Sequence, residues 1–172
     1  MMNIWLKTFG SDLEQGDFLP DCALPMVGPD FEPTIGESKI VIEIRDLIVI
    51  TQSCDLANAK VQFAALCPIY GLDHFESINP DFTKRGRWES VRKGRVEGLH
   101  LLGSPEDPQN NRLALVVDFA EIYSLPVAYL ANHAGQQGDR WRLQSPYLEH
   151  FSQAFARFFM RVGLPVQIPE YK

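Results

Sequence analysis

The residues best suited to chemistry stand together at Thr51-Gln52-Ser53-Cys54-Asp55-Leu56, directly after the apolar run Leu47-Ile48-Val49-Ile50. A run of that kind reads as a buried strand, and a strand end is a common place for functional groups because a rigid element fixes what the next loop exposes. If Ser53 caps a short helix through Lys60, Cys54 falls in its first turn, where a thiolate is favoured. Asp55 works against this, since a neighbouring negative charge raises a thiol pKa. A thiol enzyme also needs a base, drawn from His74, His100, His133 or His150. The candidate catalytic set is Cys54, Asp55 and His100. The plainer reading, which the lone cysteine favours, is a residue packed as a small apolar group at a strand end.

A second constellation is basic. Lys84, Arg85, Arg87, Arg92, Lys93 and Arg95 fall within twelve residues against Glu89 alone, with Trp88 among them. Such a segment could hold phosphates while Trp88 stacks a base, as in single-strand binders. The alternative is a solvated run, or one paired with the acidic N-terminal third, where nine Asp/Glu stand against three Lys/Arg in residues 1–46. A third set, His150, Gln153, Arg157 and Arg161, recurs at spacings of three and four and reads first as the wet side of a helix. Three Cys and four His show no close ligand pair, so no metal site is expected. No Gly-rich phosphate loop or nucleophile elbow occurs, and no cofactor is expected.

The rest of the sequence sets the frame for these groups. A chain of 172 residues with 45% apolar and 22% charged content reads as one globular unit. A net charge of −6 argues against indiscriminate nucleic-acid binding by the whole surface. Three cysteines without framework spacing suit a reducing compartment, and neither a signal peptide nor a membrane span is read, so the expected location is cytoplasmic.

Residues 1–37, acidic and punctuated by Pro20, Pro25, Pro29 and Pro33, are expected to be irregular and to wrap the core, or to form an edge strand. Residues 38–172 are then the folded domain. Ile40, Ile42 and Ile44 alternate as on a half-buried strand, followed by strands over 47–51 and 61–69. Asn79-Pro80-Asp81 signals a helix reaching Val91, weakened by Gly86. Strands are expected at 99–102, 112–119 and 140–143, with a polar hairpin loop at 103–111. The stretch 122–130 fits either strand or helix. A closing helix is expected from a Ser145 cap to Val162, stopped by Gly163 and Pro165, with Phe151, Phe155, Phe158 and Phe159 on its inner face. The fold class expected is α+β: a curled, mostly antiparallel small sheet or partial barrel packed by this long amphipathic helix.

Two stretches together, Ile48 to Leu56 and Ser145 to Pro165, resemble a group of small bacterial proteins with a Thr-Gln-(Ser or Thr)-Cys-Asp-Leu segment and an Arg-Val-Gly-Leu-Pro ending. The resemblance runs from about Gly16 onward and implies a shared fold without carrying an activity. Gly16-Asp17-Phe18 and the strand at Leu47 to Ile50 also look like the opening turn and central strand of MazF-type endoribonucleases, which form small barrels; no catalytic residue follows from it. The expected function is therefore a binding or accessory module acting on a protein partner or a nucleic acid, the latter through residues 84–95. The alternatives are a cysteine-dependent hydrolase or transferase using Cys54, and a MazF-like endoribonuclease.

Overall fold

The computed structural model describes residues 3–32 and 40–160. The elements are, in order, β1 (Trp5–Thr8), β2 (Phe18–Val27), β3 (Ile40–Val49), α1 (Ser53–Ala57), β4 (Phe63–Gly71), α2 (Leu72–Ile78), α3 (Arg87–Arg92), β5 (Leu99–Leu102), β6 (Leu115–Asp118), β7 (Tyr123–Pro126), α4 (Val127–Gln137), β8 (Arg140–Leu143) and α5 (Tyr147–Phe159). The fold is α+β. Its main sheet is antiparallel throughout, in the order β2-β3-β4-β6-β5, with β7 sharing the same side of β4 as β6. β1 and β8 form a separate two-stranded ribbon. The sheet is open rather than closed into a barrel.

Burial follows from the alternation of side chains along β3 and β4, which are apolar on both faces where they cross the middle of the fold. One face of the sheet, with Leu19, Leu24, Leu47, Val49 and Leu66, packs on Leu130 and Ala134 of α4. The other, with Ile48, Cys67, Ile69 and Val117, packs on Trp5, Leu143 and Phe151 of α5. A third cluster, with Tyr70, Leu72, Phe75 and Val116 at its centre, lies under α2 and takes in Phe82 and Trp88.

A buried ion network ties the β1–β8 ribbon to the sheet. The carboxylate of Asp17, wholly buried, accepts from the guanidinium groups of Arg140 (3.2 Å) and Arg142. Arg140 also donates to the carbonyls of Gly10 and Asp12. Each charge in this network therefore has a counterion and hydrogen bonds, the condition under which a buried ion is tolerated.

Several expectations are corrected here. Within residues 1–37 the edge-strand alternative is what β2 forms, and β1 is a further strand, so the segment is not irregular throughout. Pro20 and Pro25 fit within β2 because it lies at the sheet edge, where a missing N–H costs no ladder bond. The two strands expected over 40–51 are one continuous β3. Ile40, Ile42 and Ile44, read as a half-buried face, are each more than half exposed.

The helix expected from Pro80 to Val91 is split into a 3₁₀ turn at Pro80–Thr83 and α3. Gly86 separates them in the left-handed region at φ 85°, and Asn79 provides no side-chain cap. The strand expected from 112 begins only at Leu115, after a 3₁₀ turn at Asn111–Leu113. The ambiguous 122–130 stretch is both things in succession: β7, then α4 continuing to Gln137. Ser145 does not cap α5; its hydroxyl donates to the Glu149 carboxylate. Val162, Gly163 and Pro165, expected at the end of that helix, lie outside the described residues, as does Arg161.

Candidate functional cleft

Several polar groups around Cys54 are taken up in hydrogen bonds within the fold. α1 does start at Ser53 and places Cys54 in its first turn, exposed to solvent. The Ser53 hydroxyl, however, accepts from the Gln15 N–H (3.0 Å) instead of capping the helix. Gln15 in turn donates through its side chain to the Ile50 carbonyl, and the Thr51 hydroxyl accepts from the Ala65 N–H. These polar groups fasten the 14–17 turn and β4 to the end of β3.

The sulfur of Cys54 faces Gln52 Oε1 and Asp55 Oδ1, both at 3.7 Å, and Asp55 also pairs with Lys60. Among the described residues no histidine is a hydrogen-bond partner of Cys54. His133 contacts the Pro20 carbonyl and Gln137, and His100 is held in an aromatic cluster away from α1. Cys54 and Asp55 are thus brought together, and His100 is not.

The basic segment is likewise divided. Lys84 pairs with Asp81 at 2.5 Å, and Arg87 lies over the Phe82 ring at 4.9 Å from its centroid. Trp88 donates its indole N–H to Glu76 and packs its ring on Phe75 and Phe82, so it belongs to the core. Arg85 and Arg95 are exposed and, among the described residues, their side chains have neither a hydrogen bond nor an ion pair. Arg92 and Lys93 share Glu89 at 2.7 and 3.0 Å, and these hydrogen bonds hold the Glu89 carboxyl down to about 2.

The end of α3, however, opens onto a cleft of about 560 Å³ whose other wall is α5. Arg92, Lys93 and Gly94 form one rim; His150, Gln153 and Arg157 of α5 form the opposite one. The three α5 residues share one helix face because they are spaced at three and four. Among the described residues none of their side chains has a hydrogen-bond or ion-pair partner.

Between the rims the floor is apolar and aromatic: Leu99, Leu101, Phe119 and Phe158, with His100 from β5. Gly98 shapes this floor. It takes φ +86°, and a Cβ there would lie 3.1 Å from Phe158 Cε2, so a side chain would be strained and crowded.

The electrostatics of the two histidines differ. His100 stacks on Phe119 (6.0 Å between centroids, 23° between planes) and meets the edge of Phe151. Burial, with a smaller push from the charge of His150, brings its pKa down to about 4, so the ring is neutral near pH 7. It can present one donor and one acceptor nitrogen but no charge. His150, at the rim, is exposed.

The cleft therefore combines cationic and amide donors, and the one carboxylate of Glu97, with an apolar floor, a combination able to hold an anion that carries a planar ring. Among the described residues its lining has no Cys, Ser or Thr to act as a nucleophile. Among the described residues, no group of three or more His, Cys, Asp or Glu is placed to hold a metal ion, and no helix is long and apolar enough to cross a membrane.

The residues of the two rims were each visible in the sequence, but their meeting was not, because some sixty positions separate Lys93 from Arg157. Phe119 and Phe158 gave no signal beyond being apolar. No protein-family model matches the chain, and no curated protein sequence matches it.

Proposed function

We propose that the protein is a binding module that takes single-stranded nucleic acid, with phosphate held between the α3 and α5 rims and a base laid on the aromatic floor. The observation that carries this reading is the convergence of Arg92 and Lys93 with His150, Gln153 and Arg157 over Phe158, Phe119 and neutral His100. Charge-assisted hydrogen bonds to phosphate and stacking on an aromatic face are the two contributions a single-strand binder uses, and neither requires base-specific contacts. The contact set differs from the whole of residues 84–95. Trp88 is engaged within the core and Arg87 lies over Phe82, while the cations lining the cleft are Arg92 and Lys93, which share Glu89 in an exposed ion pair, together with Arg157.

The alternatives have less support. A thiol enzyme at Cys54 lacks a base beside the sulfur, and a MazF-like ribonuclease would be built on a barrel where this sheet is open.

The test is fluorescence anisotropy with short single-stranded DNA and RNA over a series of salt concentrations. Affinity should fall steeply with salt, and Arg157→Ala should weaken it and reduce the log–log salt slope by about 0.7, the share of one phosphate contact on a single strand. Binding that is absent at low salt, or unaltered by Arg157→Ala, would remove the proposal.

A further inference from the structure

The outer half of the β2–β3 hairpin presents an uncovered apolar face. Residues opposite each other in an antiparallel pair point to the same side. The register Ala23↔Ile44, Pro25↔Ile42 and Val27↔Ile40 therefore gathers six apolar side chains on one face. Val27, Ile40, Ile42 and Ile44 are 62%, 53%, 57% and 60% exposed. The opposite face of the same hairpin is occupied along β2, where Leu24 and Cys22 are buried in the α4 core and the Ala23 N–H is taken up by the Tyr129 hydroxyl, while Val41 of β3 stays 58% exposed there. The hairpin is thus anchored on one side and bare on the other.

We infer that this face is the contact between two copies of the chain, packed face to face about a two-fold axis. Three features select a second copy as the occupant. First, the six side chains themselves carry no charge, and the nearest one on that face of β3, Asp46, lies at its inner end, where it accepts from the Asp21 N–H; packing the outer half on itself opposes no like charges even though the chain carries a net −6. A charged ligand or a nucleic acid gains nothing there.

Second, four aliphatic side chains this exposed, with Pro25, amount to roughly 500 Å² of contiguous apolar surface, the upper end of what a monomer ordinarily shows. Two such faces together supply the roughly 1,000 Å² that a specific interface needs, before any flanking residue is added. Third, Pro25 lies in the edge strand itself and disfavours extension of the sheet by another strand, which leaves face-to-face packing as the way to cover these side chains. A two-fold contact is self-complementary by construction, so one apolar face suffices for both partners.

The experiment is sedimentation velocity on the full chain from low to several hundred micromolar, without nucleic acid. The wild type should sediment as a dimer at the upper concentrations, and Ile42→Lys should be monomeric over the whole range with an unchanged circular dichroism spectrum. As a second measurement, Ile42→Cys in a Cys54→Ser background should form an interchain disulfide under mild oxidation, whereas Glu97→Cys in that background should not. A wild type that stays monomeric overturns the inference and leaves the face to a different protein. So does a dimer that Ile42→Lys leaves intact, or one in which Ile42→Cys fails to cross-link. None of these outcomes depends on whether the α3–α5 cleft binds nucleic acid.

Discussion

His100 gives the most separable prediction, because its protonation is coupled to folding through one well-defined environment. The ring is packed between Phe119 and Phe151, and that burial brings its pKa from 6.5 to about 4. The unfolded chain takes up the proton near 6.5 and the folded chain only near 4. Stability from the neutral ring is accordingly complete above about pH 6.5, and it is lost as the pH falls from there to about 4. At about 1.4 kcal/mol per pKa unit, the whole loss is about 3 kcal/mol, of which about 2 kcal/mol has gone by pH 5. Against a total stability of roughly 5 to 15 kcal/mol, a change of that size is easily measured.

The perturbation is His100→Phe, an aromatic of similar size that keeps the cluster filled and cannot titrate. Urea unfolding, followed by tryptophan fluorescence, would be compared for both proteins near pH 7.5 and near pH 5. Burial also raises the Asp46 and Asp118 carboxyls, which contribute with the opposite sign as the pH falls. Those groups are shared by both proteins and cancel in the difference. On acidification the wild type should lose about 2 kcal/mol more than the variant. Equal losses in the two proteins would refute the reasoning, since they would mean that the ring is no harder to protonate folded than unfolded.

Other outcomes follow from the same structure. Asp17→Ala leaves Arg140 buried without its carboxylate and should cost about 3 to 5 kcal/mol, read from the shift in urea midpoint. Iodoacetamide near neutral pH should label Cys54 alone. Cys22 and Cys67 are wholly buried, and burial followed by nearby carboxylates pushes both thiols up to about 12. Mass mapping of the labelled sites decides that, and rapid labelling of either buried thiol would contradict it. Trp88→Phe should lower stability, through loss of the hydrogen bond to Glu76, by about 1 kcal/mol. It should leave nucleic-acid affinity unaltered in the anisotropy assay, because the indole belongs to the core and does not face the cleft.

The elements that were legible in advance share a physical property: their environment can be inferred from their own residues. β5 and the apolar end of β3 read correctly because strands buried in this way are apolar over a short run; β8, with Arg140 and Arg142 among its four residues, does not share that reason. β2 was legible only as one of two alternatives, because Pro20 and Pro25 fit a loop or a strand at an edge equally well. α4 begins at Val127 without a side-chain cap, so nothing local separated it from the strand before it. Ile40, Ile42 and Ile44 carry the pattern of a buried face, and the pattern cannot tell whether anything is there to bury them.

For the candidate site, the sequence by itself determined the ingredients: a cluster of cations over 84–95, a polar stripe at 150, 153 and 157, and a thiol after an apolar strand. Which of these meet was decided by the tertiary structure alone. Gly86 breaks the basic segment, the core claims Trp88, and α5 packs Phe151 and Phe158 on His100 and Gly98, so that Arg157 and His150 line one cleft with Arg92 and Lys93. Side-chain chemistry is local and survives in the sequence, whereas proximity between distant segments arises from how sheet and helices bury their apolar faces together. That packing also makes His100 a neutral member of an aromatic cluster, a state no spacing of residues could have indicated.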